Sequence, residues 1–334
     1  MPRWSICWFH GCGRTLFRYT SCVTTTLAMA KERWGVDLGG TKIEAVILDG
    51  SMKPLVRRRI ATEASGGYRH ILERIEHLVG LISLESGLVT PDVIGIGTPG
   101  RYDPEPGVMK NSNTVYLNGC NLKRDLEEVL NRAVVIENDA NCFALAESFL
   151  GAAATIMREH SKAAFGIILG TGVGGGVVCG GKVRHGAHGI AGEWGHNELI
   201  PNGELCYCGR KGCVETVISG PALERYYQQL SGRYSPLERI SAEVESDAAA
   251  AETIEHLLFY FGKALAQVLN ILDPDVCILG GGVGQVEQLY SQKAVKAIER
   301  HLFNSELRIP LLRPLLGDSA GVFGAALLTN NLLI

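Results

Sequence analysis

Two stretches of this chain follow one plan, and that plan limits what the chain can fold into. Residues 34–50 read WGVDLGGTKIEAVILDG and residues 165–181 read FGIILGTGVGGGVVCGG. In each, an apolar run ends at a glycine-rich turn and resumes as a second apolar strand, the pattern of a β-hairpin. Sliding one onto the other pairs Gly35 with Gly166 and Gly39 with Gly170, an offset of 131 both times. A strand–turn–strand unit repeated at so long a period predicts an α/β protein with two related halves facing one another.

The rest of the chain fits that frame. Residues 93–97 form a short strand running into Thr98-Pro99-Gly100, and residues 134–136 form another that runs into Glu137-Asn138-Asp139. Helical spacing of apolar residues predicts a helix over 140–150 and a long one over 248–272. The long helix feeds a buried strand over 276–279 and a third glycine cluster, Gly280-Gly281-Gly282. A small-residue helix follows Gly317 and extends through Leu328, with Asp318 or Ser319 as its N-cap. The expected division is an N-terminal α/β lobe over 29–150, a larger C-terminal lobe over 151–316, and a helix over 317–334 that packs back on the first lobe.

Composition removes several function classes. Lys and Arg number 32 against 35 Asp and Glu, a net charge of −3, so the chain lacks the basic surface that neutralises nucleic-acid phosphates. No apolar run approaches the ~20 residues needed to cross a bilayer. Glycine reaches 41 of 334 residues, about 12% against a usual ~7%, and it is concentrated in the turns. Glycine lets backbone N–H groups close on an anion. The three turns therefore point to nucleotide phosphates, with Gly35, Gly39, Gly40, Thr41 and Lys42 in the first. Gly170, Thr171, Gly172, Gly174, Gly175 and Gly176 make up the second, and Gly281 and Gly282 belong to the third. No P-loop is present, and no G-x-G-x-x-G opens a helix ahead of an acid, which argues against a Rossmann dehydrogenase. Asp37, beside the first turn, either holds Mg²⁺ through water or caps the turn. Asp139 stands where a strand gives way to a helix, where the helix dipole favours its charged form. It can serve as a base for an attacking hydroxyl, although locally a plain N-cap is the simpler reading.

His196, Cys206, Cys208 and Cys213 lie within 18 residues, separated by glycines that let the chain double back. Three thiols and one imidazole make a closed structural zinc site with no open position for water. Such a zinc pins the loop that carries Glu193 and Glu215. Cys120, Cys142, Cys179 and Cys277 read as buried thiols, and a reducing cytoplasm fits them. Residues 1–28 are Arg-containing and acid-free. Their composition fits a transit peptide, but the favoured expectation is a working chain that starts at Met29.

Taken together the motifs resemble the ROK sugar kinases of the actin/hexokinase-like ATPase superfamily. The resemblance runs over residues 34–328 and rests on DLGGTK (37–42), GIGTPG (95–100), ENDANCFALAE (137–147), GTGVGGG (170–176), GEWGH (192–196), CYCGRKGCVET (206–216) and DPDVCILGGG (273–282). It implies a two-lobed, ribonuclease H-like ATPase fold with duplicated halves and a zinc loop. It places ATP phosphates on the glycine turns, Mg²⁺ beside them and the catalytic base on Asp139. Sugar contacts fall on Asn138, Glu193, His196 and Glu215, with Gly100 and Asn113 added, and the zinc ligands on His196, Cys206, Cys208 and Cys213. The reaction implied is direct transfer from ATP to the 6-hydroxyl of a hexose, in a cytoplasmic homodimer. KNSNTVYLNG (110–119) most resembles the fructokinase/mannokinase branch, so fructose or mannose is the expected sugar; N-acetylglucosamine kinase and glucokinase are the alternatives. Family members that act as sugar-responsive repressors carry a winged helix-turn-helix ahead of the sugar domain, and residues 1–33 contain no such pair of amphipathic helices.

Overall fold

The computed structural model describes residues 32–112, 114–159 and 161–329; the leader and Asn113 fall outside them. Strands β1 (Arg33–Leu38), β2 (Lys42–Leu48) and β3 (Pro54–Ala61) form an antiparallel meander. β4 (Val93–Thr98) joins β1 in parallel. A small hairpin of β5 (Arg101–Asp103) and β6 (Val108–Lys110) follows, and β7 (Ala133–Asn138) then pairs in parallel with β4. The first sheet therefore has the order β3-β2-β1-β4-β7.

The second sheet repeats it. β8 (Ala163–Leu169), β9 (Val173–Cys179) and β10 (Lys182–Val183) form the antiparallel part. β11 (Val276–Gly280) and β12 (Leu311–Leu312) add in parallel, giving β10-β9-β8-β11-β12. The repeat in sequence is a repeat in topology, with strand directions preserved position by position.

Helices cover both faces of each sheet, which is why the central strands are apolar on both sides. α1 (Tyr68–Ser86) buries Ile71, Ile75, Leu78 and Ile82 along one face and, with α2 (Leu122–Leu130), seals the outer face of the first sheet. The outer face of the second sheet packs on α7 (Ala248–Leu272), with the same bounds that its periodicity predicts. Asp247 caps α7 by accepting the Ala249 amide at 2.9 Å. Around it lie α4 (Val214–Ile218), α5 (Gly220–Ser231), α6 (Leu237–Ala242), the single turn α8 (Gly281–Gly284) and α9 (Gln292–Glu299).

Between the sheets lie α3 (Asp139–Phe149) and α10 (Ala320–Leu327), and they cross over. α3 leaves the first sheet at β7 but packs on β8 and β9 of the second; α10 follows β12 of the second and packs on β1 and β4 of the first. Gly35 and Gly166, the pair that revealed the repeat, make this possible. A Cβ on Gly35 would lie 2.6 Å from the Val322 carbonyl oxygen in α10, and one on Gly166 would lie 2.6 Å from the Ala144 Cβ in α3.

The N-cap expected of Asp318 or Ser319 is not made. Ser319 occupies the cap position, but its hydroxyl donates to Glu44 Oε1 at 3.1 Å and accepts from Arg57 at 3.0 Å. Glu44 is a buried carboxylate that needs donors more than the helix end does. Asp318 faces Lys42 at 3.5 Å.

Candidate functional site

β7 ends at Asn138 and α3 begins at Asp139, so both side chains emerge at one strand end. The cap is Asn138, whose Oδ1 accepts the Asn141 amide at 2.9 Å. That overturns the local reading of Asp139 as the cap; its carboxylate takes the Ala140 amide at 2.8 Å and its own backbone amide. The Asp139 side chain opens into the cleft, yet protein surrounds it on its other sides. Burial pushes its pKa up to about 6, helped by the negative charge of Glu193 and opposed by the Ala140 hydrogen bond.

Glu193 is delivered by the segment after β10. There Trp194 is buried against Phe165, edge to face with ring centres 5.9 Å apart, and its indole N–H donates to the Gly174 carbonyl at 2.9 Å. The segment is thereby fastened to β9, so Glu193 and His196 project from a rigid base.

His196, Cys206, Cys208 and Cys213 bring one ligand atom each to within 4.8 Å of one another. A tetrahedral zinc with ~2.3 Å Zn–S and ~2.0 Å Zn–N bonds sets its ligand atoms about 3.5–3.8 Å apart. The Cys208 and Cys213 sulfurs are 3.7 Å apart, and the Cys206 sulfur is 3.6 Å from His196 Nδ1, so the donor set fits zinc. The outer ring nitrogen, Nε2, lies 3.1 Å from the Tyr207 hydroxyl, the outer partner that a zinc-bound histidine requires. A sugar hydroxyl at His196 has to share or replace that contact. Glu215, at the start of α4, accepts the Val173 amide on Oε2 at 2.9 Å, and so ties the cysteine loop to the second glycine turn.

These groups line one cleft of about 1600 Å³. Gly100, Asn138, Asp139, Glu193, His196 and Glu215 are on its walls, together with Gly170, Thr171, Gly172, Gly174 and Gly175. Gly282 sits beside the second turn, its amide nitrogen 4.0 Å from where a Cβ on Gly170 would be. Two glycines assigned to phosphate do not belong there. Gly35 is buried in β1 under α10, and Gly176 is buried in β9, where a Cβ would lie 2.8 Å from the Asn141 Cα of α3. Their missing side chains admit helices, not an anion.

The first turn, Gly39-Gly40-Thr41, is outside the cleft lining. It is closed by the Gly39 amide on the Lys42 carbonyl at 2.9 Å. Asp37 connects it to the site: burial raises its pKa to about 7, with the charges of Asp139 and Glu44 adding and Lys42 opposing. A carboxylate so placed suits a cation arriving with phosphates.

The cleft also presents Arg101, Arg184 and Arg210, none of which the sequence reading assigned to the site. Arg101 directly follows Gly100 and Arg210 lies within CYCGRKGCVET, so adjacency to those motifs was the available signal; Arg184 gave none.

The ROK family profile matches residues 33–331. Among characterised proteins, the N-acetyl-D-glucosamine kinase of Vibrio cholerae serotype O1 is 35% identical over 309 residues, 88% of this chain and 98% of that protein. A ROK hexokinase from Thermus thermophilus superposes with a TM-score of 0.78 at 34% identity, covering 89% of this chain and 97% of that one. The ROK family glucokinase of Streptomyces griseus, solved in complex with glucose and AMPPNP, gives 0.72 at 31% identity, covering 89% and 99%. The hexokinase-like α/β architecture is shared with both. The names these relatives carry are those of N-acetylglucosamine, hexose and glucose kinases, whereas residues 110–119 suggested fructose or mannose.

Proposed function

The chain belongs to the ROK family, and from that premise we propose that it transfers the γ-phosphoryl group of ATP to the 6-hydroxyl of a hexose, with Asp139 as general base. One observation carries the reading: Asp139, Glu193, His196 and the Gly170–Gly174 turn line a single cleft. A base raised to about 6 is ionised at neutral pH, yet accepts a proton more readily than a free carboxylate. Asp139 takes the hydroxyl proton as the sugar oxygen attacks the γ-phosphorus, the bond to the ADP oxygen breaks, and the leaving phosphate carries the charge. Asn138 and Glu193 hold the sugar, and backbone amides at Thr171 and Gly172 face the phosphates, the Gly170 amide being taken by the Gly172 carbonyl at 2.9 Å. Asp37 is the residue that would hold, through water, a Mg²⁺ arriving with ATP, which would screen the phosphate charge. His196 and the three cysteines would hold a zinc ion whose role is to order the sugar wall, outside the chemistry.

For the sugar, the relatives support N-acetylglucosamine or glucose. Fructose or mannose is the second reading, favoured by the resemblance of residues 110–119. Within it Ser112 and Asn118, both at the cleft, exchange hydrogen bonds at 2.9 Å. The test is ATP-dependent phosphorylation of N-acetylglucosamine, glucose, fructose and mannose in parallel. The highest kcat/KM on either of the first two supports the main reading, and on either of the last two the second. Turnover of none overturns both.

A further inference from the structure

Glu137 precedes Asn138 and Asp139 on β7 and is a buried carboxylate, 8% exposed. Its Oε1 accepts two hydrogen bonds, from the Asn138 amide at 2.8 Å and the Asn141 side chain at 2.9 Å. Its Oε2 lies 3.1 Å from Nδ1 of His185. His185 follows β10, in the other sheet. Among the described residues no arginine or lysine pairs with Glu137, so the imidazole is its ion-pair partner.

The segment that begins at His185 folds back on itself. The Ala191 amide donates to the His185 carbonyl at 3.1 Å, and the Glu193 amide to the Ile190 carbonyl at 3.2 Å. The placement of His185 is thus passed on to Glu193. At the crown of the segment, a Cβ on Gly189 would lie 3.0 Å from Arg101 Nε, so the loop also rests on β5, beside Gly100. The hydrogen bond to Glu137 raises the His185 pKa, which favours the charged partner that a buried carboxylate requires.

We propose that His185 is a positioning residue, which latches the 185–193 loop onto Glu137 and so sets Glu193, from one sheet, against Asn138 and Asp139, from the other. The inference rests on the kinase reading above and adds a device to its sugar site. A latch of this kind acts on sugar binding and leaves the nucleotide end of the cleft alone.

The test compares His185→Ala, His185→Gln, Glu137→Gln and the double variant Glu137→Gln/His185→Ala. The latch predicts that His185→Ala raises the sugar KM by about 10-fold with kcat and the ATP KM within ~2-fold, and that the double variant is no worse than the worse single one, a failure of additivity expected for groups in contact. His185→Gln, which keeps a donor, recovers part of the loss. Amide hydrogen exchange over 185–193 should quicken about 10-fold in His185→Ala while exchange in α7 is unchanged, because only local opening is affected. Additive losses, an unchanged sugar KM, or equal losses for sugar and ATP overturn the latch. The exchange measurement needs no turnover. A wild-type chain that phosphorylates no hexose would defeat the kinase reading, and the latch would then stand or fall on exchange alone, unaltered exchange in His185→Ala refuting it.

Discussion

Gly35→Ala separates two roles for the first repeat. The added Cβ would lie 2.6 Å from the Val322 oxygen and 2.8 Å from the Ala326 Cα. Those are backbone atoms of α10, which cannot swing aside as a side-chain tip does. Bringing them to an ordinary contact of ~3.5 Å means retreating α10 by about 1 Å. Overpacking of this kind costs about 1–3 kcal/mol, and the upper end applies because a whole helix must move. For a chain of this size, at ~2.1 cal/mol/K of unfolding entropy per residue, ~3 kcal/mol corresponds to a Tm lower by about 4–5 °C. α10 also carries Gly321, where a Cβ would lie 2.7 Å from Asp37 Oδ2, so the shift reaches Asp37 second. Differential scanning calorimetry with steady-state kinetics checks the order of effects: a clear loss of Tm with the ATP KM changed little. An unchanged Tm with a large rise in the ATP KM would restore Gly35 to the phosphates and refute the packing argument.

The remaining predictions concern the base and the metal. Because Asp139 must be ionised to accept a proton and its pKa is raised to about 6, kcat/KM should fall as pH drops through 6; a limb near ~4, where an ordinary aspartate titrates, would remove the perturbed base. Asp139→Asn should lose about 10²–10⁴-fold in kcat while sugar still binds by calorimetry, and near-normal turnover would rule Asp139 out as base. The purified chain should hold about one zinc ion, and Cys206→Ser should lose it with a lower Tm, since metal binding is coupled to folding in such loops. A metal-free chain with an unchanged Tm would contradict the structural role.

Much of this molecule is legible in its sequence because its signals are local. The two glycine hairpins, the bounds of α7 and the ligand spacing of the cysteine loop all follow from periodicity or from neighbours a few residues apart. What is not legible depends on which face a residue meets. Gly35 and Gly39 are both glycines at a hairpin, but only the fold reveals that one admits a helix and the other closes a turn. Ser319 stands where a cap belongs, but Glu44, 275 residues away in sequence, claims its hydroxyl. The Asn138-Asp139 pair is a third case. Either side chain could cap α3, and the backbone geometry gives that task to the asparagine, leaving the aspartate free of it.

The crossing of α3 and α10 has a consequence for how the chain can be divided. Each half supplies the helix that fills the other's core, so a fragment ending near residue 150 would carry α3 with no sheet beneath it and leave the glycine-lined groove on β1 and β4 uncovered. The two halves are, in effect, a swapped dimer written as one polypeptide, and separately expressed pieces should gain structure only when mixed. Closure of the cleft cannot then be the swing of two self-sufficient bodies on a flexible linker. The two crossing helices meet where Gly324 of α10 lies against the Cys142 backbone of α3, a contact inside the core with no room for a methyl group.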